Sequence, residues 1–366
     1  MSKYLYSLGL MSGTSVDGVD ASIIKSDGEQ FLEIIDDIYV KYDDHFRMKL
    51  KKTIDSCYSK DEFNNLSNSI KDIEKEITLF HDQACKLIIK KNRNIKIDII
   101  GFHGQTILHK PQEGYSIQIG DSKLLSKLTN TAVVSNFREN DILNGGQGAP
   151  LSSLYHHLIL SKIKSNLPSA VVNIGGISNI TYVENENKIK SFDTGPGNYL
   201  IDKWVKMNSK MEFDDKGQLA KSGKSNEIIL EKFLSNQYYK KKLPKSLDVK
   251  DFNLNDLSKS SLEDGCATLS MFTVKSICMA INSFSITPNK ILFSGGGRKN
   301  DFIITNIKKI IKESIHLIDE FNFDGDFIES QAFAYLAIRS YLKKFITFPT
   351  TTGAKKPSLG GTIFKS

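Results

Sequence analysis

The feature that most constrains this chain is a pattern that occurs twice: a short apolar strand, a turn of small residues, and a second apolar strand. The first copy runs from Tyr4 to Leu10, through Met11-Ser-Gly-Thr-Ser15, and on from Val16 to Ile24. The second runs from Ala170 to Ile174, through Gly175-Gly176-Ile177-Ser178-Asn179, and on from Ile180 to Val183, with a further strand from Lys188 to Phe192. Apolar strands joined by such turns read as hairpins, and Phe31 to Val40 adds a third strand to the first. Two such hairpins in a 366-residue chain predict two related half-domains facing one cleft. The length agrees, being more than one hydrophobic core usually serves.

The rest of the chain alternates strands and helices, which is the mark of an α/β protein. Phe63, Leu66, Ile70, Ile73, Ile77, Phe80, Ala84 and Leu87 recur at spacings of three and four, predicting one long amphipathic helix between Lys60 and Lys91 that packs on the sheet. Ile95 to Phe102 reads as a buried strand ending at His103-Gly104-Gln105-Thr106, and Ala132 to Ser135 as another ending at Asn136-Phe137-Arg138. Polar residues at strand ends are where open α/β sheets place ligands. Gly145, Gly146 and Gly148 precede a predicted helix from Leu151 to Lys164, and the domain boundary is set there, giving domains 1–150 and 151–366. Further helices are predicted after Asn198, from Leu262 to Phe284 and from Glu329 to Leu342, with a strand from Lys290 to Phe293.

The net charge of +7 raises the question of nucleic acid, but it comes mostly from lysines scattered among acids. Arg47, Arg93, Arg138, Arg298 and Arg339 are the only arginines. Clustered Arg with interleaved aromatics is absent, so no nucleic-acid partner is expected. Cys57, Cys85, Cys266 and Cys278 lie far apart with no CxxC spacing, predicting free buried thiols. The N-terminal MSKYLYSLGL lacks a signal-peptide pattern, and no stretch is apolar long enough to span a bilayer. The expectation is a soluble cytoplasmic protein with no membrane partner.

Four segments carry candidate chemistry. In Gly13-Thr14-Ser15-Val16-Asp17-Gly18-Val19-Asp20, small residues let backbone N–H groups converge on phosphate oxygens, and Asp17 is suited to hold Mg²⁺ through water. No GK[ST] follows, so it is not a Walker loop, and a tight serine-rich hairpin serves a purely structural end equally well. Asn173, Gly175 and Gly176 form a similar turn in the second half. In Phe192-Asp193-Thr194-Gly195-Pro196-Gly197-Asn198, Asp193 reads either as a helix N-cap or, with Thr194 capping, as a general base. Gly295-Gly296-Gly297, followed by Arg298, Lys299 and Asn300, lets a flat base or a ribose approach the backbone, although three glycines alone are more often a plain loop.

Together these residues resemble the anhydro-N-acetylmuramic acid kinase family over nearly the whole chain. The resemblance rests on GLMSGTSVDGVD from Gly9, GFHGQT from Gly101, QIGD from Gln118, FRENDILNGGQGAPL from Phe137 and NIGGISNI from Asn173. It continues through FDTGPGN from Phe192, PKS from Pro244, DGCATL from Asp264, GGGRKN from Gly295 and ESQAFAYLAIR from Glu329. It implies two ribonuclease-H-like domains of the actin-like ATPase fold closing on ATP, and a homodimer. It further implies phosphate contacts from Gly13 to Asp20 and from Asn173 to Asn179, adenosine contacts from Gly295 to Asn300, and Asp193 as base. His103, Gly104, Gln105, Thr106, Arg138 and Glu329 would line the sugar pocket. The expected reaction is ATP-dependent opening and phosphorylation of an anhydro-muramic sugar in cell-wall recycling. The alternatives are a levoglucosan-type kinase and, in a different class, a non-catalytic ATP clamp. Arg138 separates the two sugars, since it pairs either with a lactyl carboxylate or with an internal acid such as Asp141. Asn144, Ser152, Ser153, Val249 and Ser330 depart from the family pattern.

Overall fold

The structure is a computed structural model that describes residues 4–247 and 252–365, without the side chains of residues 67 and 68. Val249 therefore lies outside the described residues. The chain divides into two compact units, one formed by Met1–Lys162 with Phe327–Ser366 and the other by Ile163–Asp326.

In the first unit, β1 (Leu5–Ser12), β2 (Gly18–Ser26) and β3 (Leu32–Lys41) form an antiparallel meander. Strand β4 (Ile99–Lys110) lies parallel to β1 on its other side and carries β5 (Tyr115–Ile119) as a hairpin partner. Strand β6 (Val133–Ser135) lies parallel to β4. Successive side chains of a strand point to opposite faces. Leu8 and Leu10 of β1 thus pack with Ile73, Ile77 and Ala84 of the helix Ser67–Lys91. Gly9 faces the helix Ile328–Tyr341 on the opposite side.

In the second unit, β7 (Ser169–Ile174), β8 (Ile177–Asn185) and β9 (Lys188–Pro196) form a second meander. Strand β10 (Lys290–Ser294) runs parallel to β7 and β11 (Ser314–Leu317) parallel to β10. The helix Leu262–Asn282 covers β8 and β9, and its Phe272, Ile277 and Ile281 join Val172, Ile180 and Phe293 in one core. Strand β12 (Thr362–Phe364) returns to the first unit, antiparallel to β6. Each sheet places its meander's third, second and first strands in that order, followed by two parallel strands. This ribonuclease-H-like arrangement in both units bears out the expected α/β fold.

Three expectations need correction. The second domain does not run from 151 to 366, because Phe327–Ser366 belongs to the first unit. Its helix Ile328–Tyr341 is buried on nearly every side, so no stripe of polarity in the sequence assigns it to either half. The single helix expected from Lys60 to Lys91 is two, Lys60–Asn65 and Ser67–Lys91. Ser59 and Glu62 form a capping box that starts the first of them. The strand expected from Ile95 to Phe102 does not end at the HGQT segment, which is part of β4 itself. The four cysteines are free and buried, as expected. Among the described residues no helix is long and apolar enough to cross a membrane.

Candidate active site

Strands β7 and β10 are parallel neighbours, so their carboxyl ends, with the turns that follow, lie at one edge of the second sheet. Across that edge Ser294 Oγ donates to Asn173 Oδ1 at 3.3 Å. Gly295 has φ +77°, and a Cβ there would stand 2.4 Å from Asn173 Oδ1. A Cβ on Gly297 would meet Ile174 at 2.3 Å, so both outer glycines are explained by packing. Gly296 has nothing within 4 Å of its would-be Cβ, and no protein atom accounts for its lack of a side chain. Arg298 fastens this loop by a two-pronged bond to Asp319, with both distances 2.7 Å, and by bonds to Asp326 and the Gly295 carbonyl. Burial pushes Asp319 and Asp326 up, but their bonds to Arg298 and Lys299 outweigh it and hold both below the usual carboxylate range. Asn300 caps the helix Asp301–Ile310, with Oδ1 accepting from the Ile303 N–H at 3.1 Å.

Asp193 lies inside β9 and is buried. The ladder pairs Ser178 with Gly195 and Asn179 with Asp193, leaving Thr194 as the extra residue of a bulge. Bulges re-aim neighbouring side chains and are frequent beside active sites. Neither residue is a helix cap. The following helix, Tyr199–Asn208, starts after Asn198, and Thr194 Oγ1 donates to the Ser178 carbonyl. Asp193 Oδ2 accepts from the Leu247 N–H at 2.8 Å, its own N–H donates to the Lys245 carbonyl at 3.0 Å, and its carbonyl accepts from the Tyr238 hydroxyl. The turn Gly175-Gly176 is sewn to the same region, because the N–H groups of Gly197 and Asn198 donate to the carbonyls of Gly176 and Gly175 at 2.9 and 2.8 Å. Asn173, Gly175, Gly176, Asp193 and Gly295 to Gly297 are thus brought to one edge. Lys245 and Tyr238 were not singled out from sequence. Lys245 had only the short PKS motif as a signal, which carried no role, and Tyr238 had none.

In the first unit, Val16 and Val19 bury their side chains in the core, and the Val16 N–H donates to the Gly13 carbonyl at 3.2 Å while its carbonyl accepts from Arg47 Nε at 3.1 Å. Thr14 and Ser15 are exposed, and a Cβ on Gly13 would touch nothing nearer than Ser15 Oγ at 3.9 Å. Ser15 Oγ donates to Asp17 Oδ1 at 2.5 Å. After burial itself, Asp17 and Asp20 are the next causes pushing the Tyr39 phenol up, so both carboxylates lie close to that ring. Among the described residues no three His, Cys, Asp or Glu side chains are grouped to hold a metal ion.

In β4, His103 and Gly104 together face the single residue Met11 of β1, which makes a register shift. Gly104 has φ +71° and would otherwise collide with the Ile119 carbonyl. Arg138 donates to His103 Nε2 from Nε at 3.2 Å and from Nη2 at 3.0 Å, and from Nη1 to the Gly148 carbonyl at 2.8 Å. With Nε2 accepting, the imidazole carries its proton on Nδ1, which donates to the Gly104 carbonyl at 2.9 Å. Burial, reinforced by the Arg138 charge, keeps the ring's pKa well below its ordinary value. The His103 ring packs against Phe333, centroids 4.6 Å apart, and Glu329 stands one helical turn before Phe333 on the same face. His103 and Arg138 are therefore neighbours, and Glu329 lies one helical turn from the Phe333 ring that His103 packs on. Asp141 has other partners: its two oxygens accept from the Gly148 N–H at 2.7 Å and the Thr352 hydroxyl at 2.6 Å. Gln105 is buried, and its amide is bonded to Ser12 and to the Gly13 carbonyl. Thr106 Oγ1 accepts from Gln118 Nε2 at 3.2 Å.

The profile of the family described as "Anhydro-N-acetylmuramic acid kinase" matches residues 5–366. The chain belongs to this family. A protein of that name from Pelagibacter ubique is 49% identical over 100% of both chains, and one from Zymomonas mobilis is 38% identical over 98% of this chain and 99% of that one. Among solved structures, a ROK family glucokinase from Streptomyces griseus in complex with glucose and AMPPNP gives a TM-score of 0.42 at 10% identity, over 91% of this chain and 99% of that one. Two departures from the anhydro-N-acetylmuramic acid kinase pattern are accommodated locally. The Ser330 hydroxyl meets Ser22 Oγ at 2.5 Å, and Asn144 Nδ2 donates to the Asn140 carbonyl at 2.8 Å.

Proposed function

We propose that this kinase uses ATP and water to open a 1,6-anhydro-N-acetylmuramic acid and phosphorylate it on O6, as a step of cell-wall recycling. Asp193 takes a proton from water, and the water oxygen bonds to the anomeric carbon. The bond from that carbon to the bridging oxygen breaks, and the freed oxygen takes the γ-phosphoryl group as ADP leaves. The bridged oxygen bears no proton of its own, so phosphorylation there requires the ring to open. The observation that carries the reading is Asp193, a buried carboxylate fixed through one oxygen and through its backbone at a strand bulge. A base has to be held within hydrogen-bond reach of the proton it removes.

The segments Gly13 to Asp20 and Asn173 to Asn179 offer backbone N–H groups to phosphate oxygens, and the open face of Gly296 admits the adenosine. Mg²⁺ usually takes one or two carboxylates together with substrate phosphates, a donor set that Asp17 fits, and when bound it neutralises developing phosphoryl charge. In the sugar site, Arg138 pairs with the lactyl carboxylate, while neutral His103 accepts from the guanidinium and holds it in orientation.

The test is turnover in ¹⁸O-water with anhydro-N-acetylmuramic acid, levoglucosan and free hexoses as acceptors. The muramic sugar is the preferred acceptor, with label at the anomeric hydroxyl and none in the phosphate. Asp193→Asn keeps the fold and lowers kcat by about 10²–10⁴-fold. Label in the phosphate, or near-normal turnover of the variant, overturns the mechanism.

A further inference from the structure

Lys245 is a charged side chain with no part in the reaction as derived, yet it is only 9% exposed. Its Nζ donates to the Tyr238 carbonyl at 3.1 Å and stands 4.3 Å from the centroid of the Tyr238 ring and 5.4 Å from that of Tyr239. The same residues hold Asp193. The Lys245 carbonyl accepts from the Asp193 N–H, Leu247 two residues on donates to Asp193 Oδ2, and the Tyr238 hydroxyl donates to the Asp193 carbonyl. An ammonium this far out of water is expensive unless something negative or π-rich faces it. Here that is two aromatic faces and one carbonyl, with Asp193, joined through its own N–H to the Lys245 carbonyl, adding its attraction.

We propose that Lys245 is a positioning residue for Asp193, its ammonium keeping the neighbouring carboxylate ionised and in place to act as the base. This deepens, and rests on, the assignment of Asp193 as base. Among the described residues, these groups bear on the pair. Asp193 comes from β9, the phenols of Tyr238 and Tyr239 from the turn Gln237–Lys240, and Lys241 follows that turn. The helix Leu262–Asn282 presents the uncharged Ser276 hydroxyl to Tyr239 at 2.8 Å. Burial first, then Lys241, brings the Lys245 ammonium down to about 8 against the opposing pull of Asp193. The charge that serves the base is therefore present at neutral pH and lost as pH rises through about 8.

The experiment is the pH profile of kcat at saturating sugar and ATP for the wild type, Lys245→Met, Lys245→Arg and Asp193→Asn. Removing a nearby positive charge makes a carboxylate easier to protonate, so the Met variant's acid limb moves up by about one pH unit. The Arg variant keeps the wild-type acid limb, and the alkaline fall near pH 8 disappears because a guanidinium stays charged. A folded Met variant whose acid limb matches the wild type overturns the proposal. If the Met variant does not fold, an Arg variant that retains the wild-type alkaline limb overturns it instead. Near-normal turnover of Asp193→Asn defeats the base assignment itself, whereas a dead Asn variant beside indifferent Lys245 variants defeats only this inference.

Discussion

Gln105 and Arg138 were both read from sequence as sugar-pocket residues, but their side chains are committed differently. Gln105 Oε1 accepts from the Ser12 hydroxyl at 2.6 Å and Nε2 donates to the Gly13 carbonyl at 3.2 Å, while Ser12 Oγ accepts from the Tyr42 hydroxyl at 2.8 Å. Gln105 is thereby bolted to the segment proposed to hold phosphate and has little amide left for a sugar. Truncating it takes the acceptor from the buried Ser12 hydroxyl, a loss of about 1–3 kcal/mol, and leaves the Gly13 carbonyl only the Val16 N–H at 3.2 Å, which loosens Gly13. Gln105→Ala is expected to raise the KM for ATP about tenfold or more and leave the sugar KM within about threefold. Arg138→Ala is expected to do the reverse, since a bond to a charged partner contributes roughly 1.5–3 kcal/mol. Steady-state titration of each substrate against each variant reads the split. A Gln105→Ala enzyme with a raised sugar KM alone would return Gln105 to the sugar pocket.

Among the elements, the strands of both meanders were legible because an apolar run with small-residue punctuation has few other readings. Strand limits were misjudged where polar residues carry on the ladder, as in β4 through His103 and β9 through Asp193, since a polar side chain in a strand looks like a loop. The helix Asp44–Ser56 was missed: only Phe46, Leu50 and Thr53 of it are buried, too thin a stripe to stand out. Glycines proved the best guide to what the sequence hid. A Cβ on Gly9 would lie 1.9 Å from the Ser330 carbonyl oxygen, and one on Gly101 2.2 Å from that of Phe333. These glycines let the helix Ile328–Tyr341 lie directly on β1 and β4, and the same helix sets the Phe333 ring against His103. Gly9→Ala is therefore expected to lift the helix, cost about 1–3 kcal/mol of stability as overpacking does, and raise the sugar KM. Thermal melting and a sugar titration check it, and a Gly9→Ala protein with unchanged Tm would mean that the helix yields without resistance.

At the scale of the whole molecule, the two units share a strand order but differ in titration chemistry. Of the seven histidines only His316 falls in the second unit. In the first, burial lowers His81 to about 4 and His156 to about 3, and burial with the Arg138 charge holds His103 well below its ordinary value. The fold keeps these rings neutral, whereas the unfolded chain protonates them near pH 6.5. Their contribution to stability is thus intact above pH 6.5 and is lost as the pH falls from there towards 3 or 4. Each ring removes about 1.4 kcal/mol per pH unit across that window, so His81 and His156 together take away roughly 4 kcal/mol at pH 5, a large share of a domain's stability. In the second unit the lowered carboxylates Asp319 and Asp326 stay ionised through this range and fail only at lower pH. Hydrogen exchange at pH 7 and pH 5, corrected for the intrinsic chemical rate, should show protection falling across residues 4–162 and 327–365 while 163–247 and 252–326 hold theirs. Equal loss in both units would show that the buried histidines do not govern acid stability, and loss confined to the second would reverse the assignment.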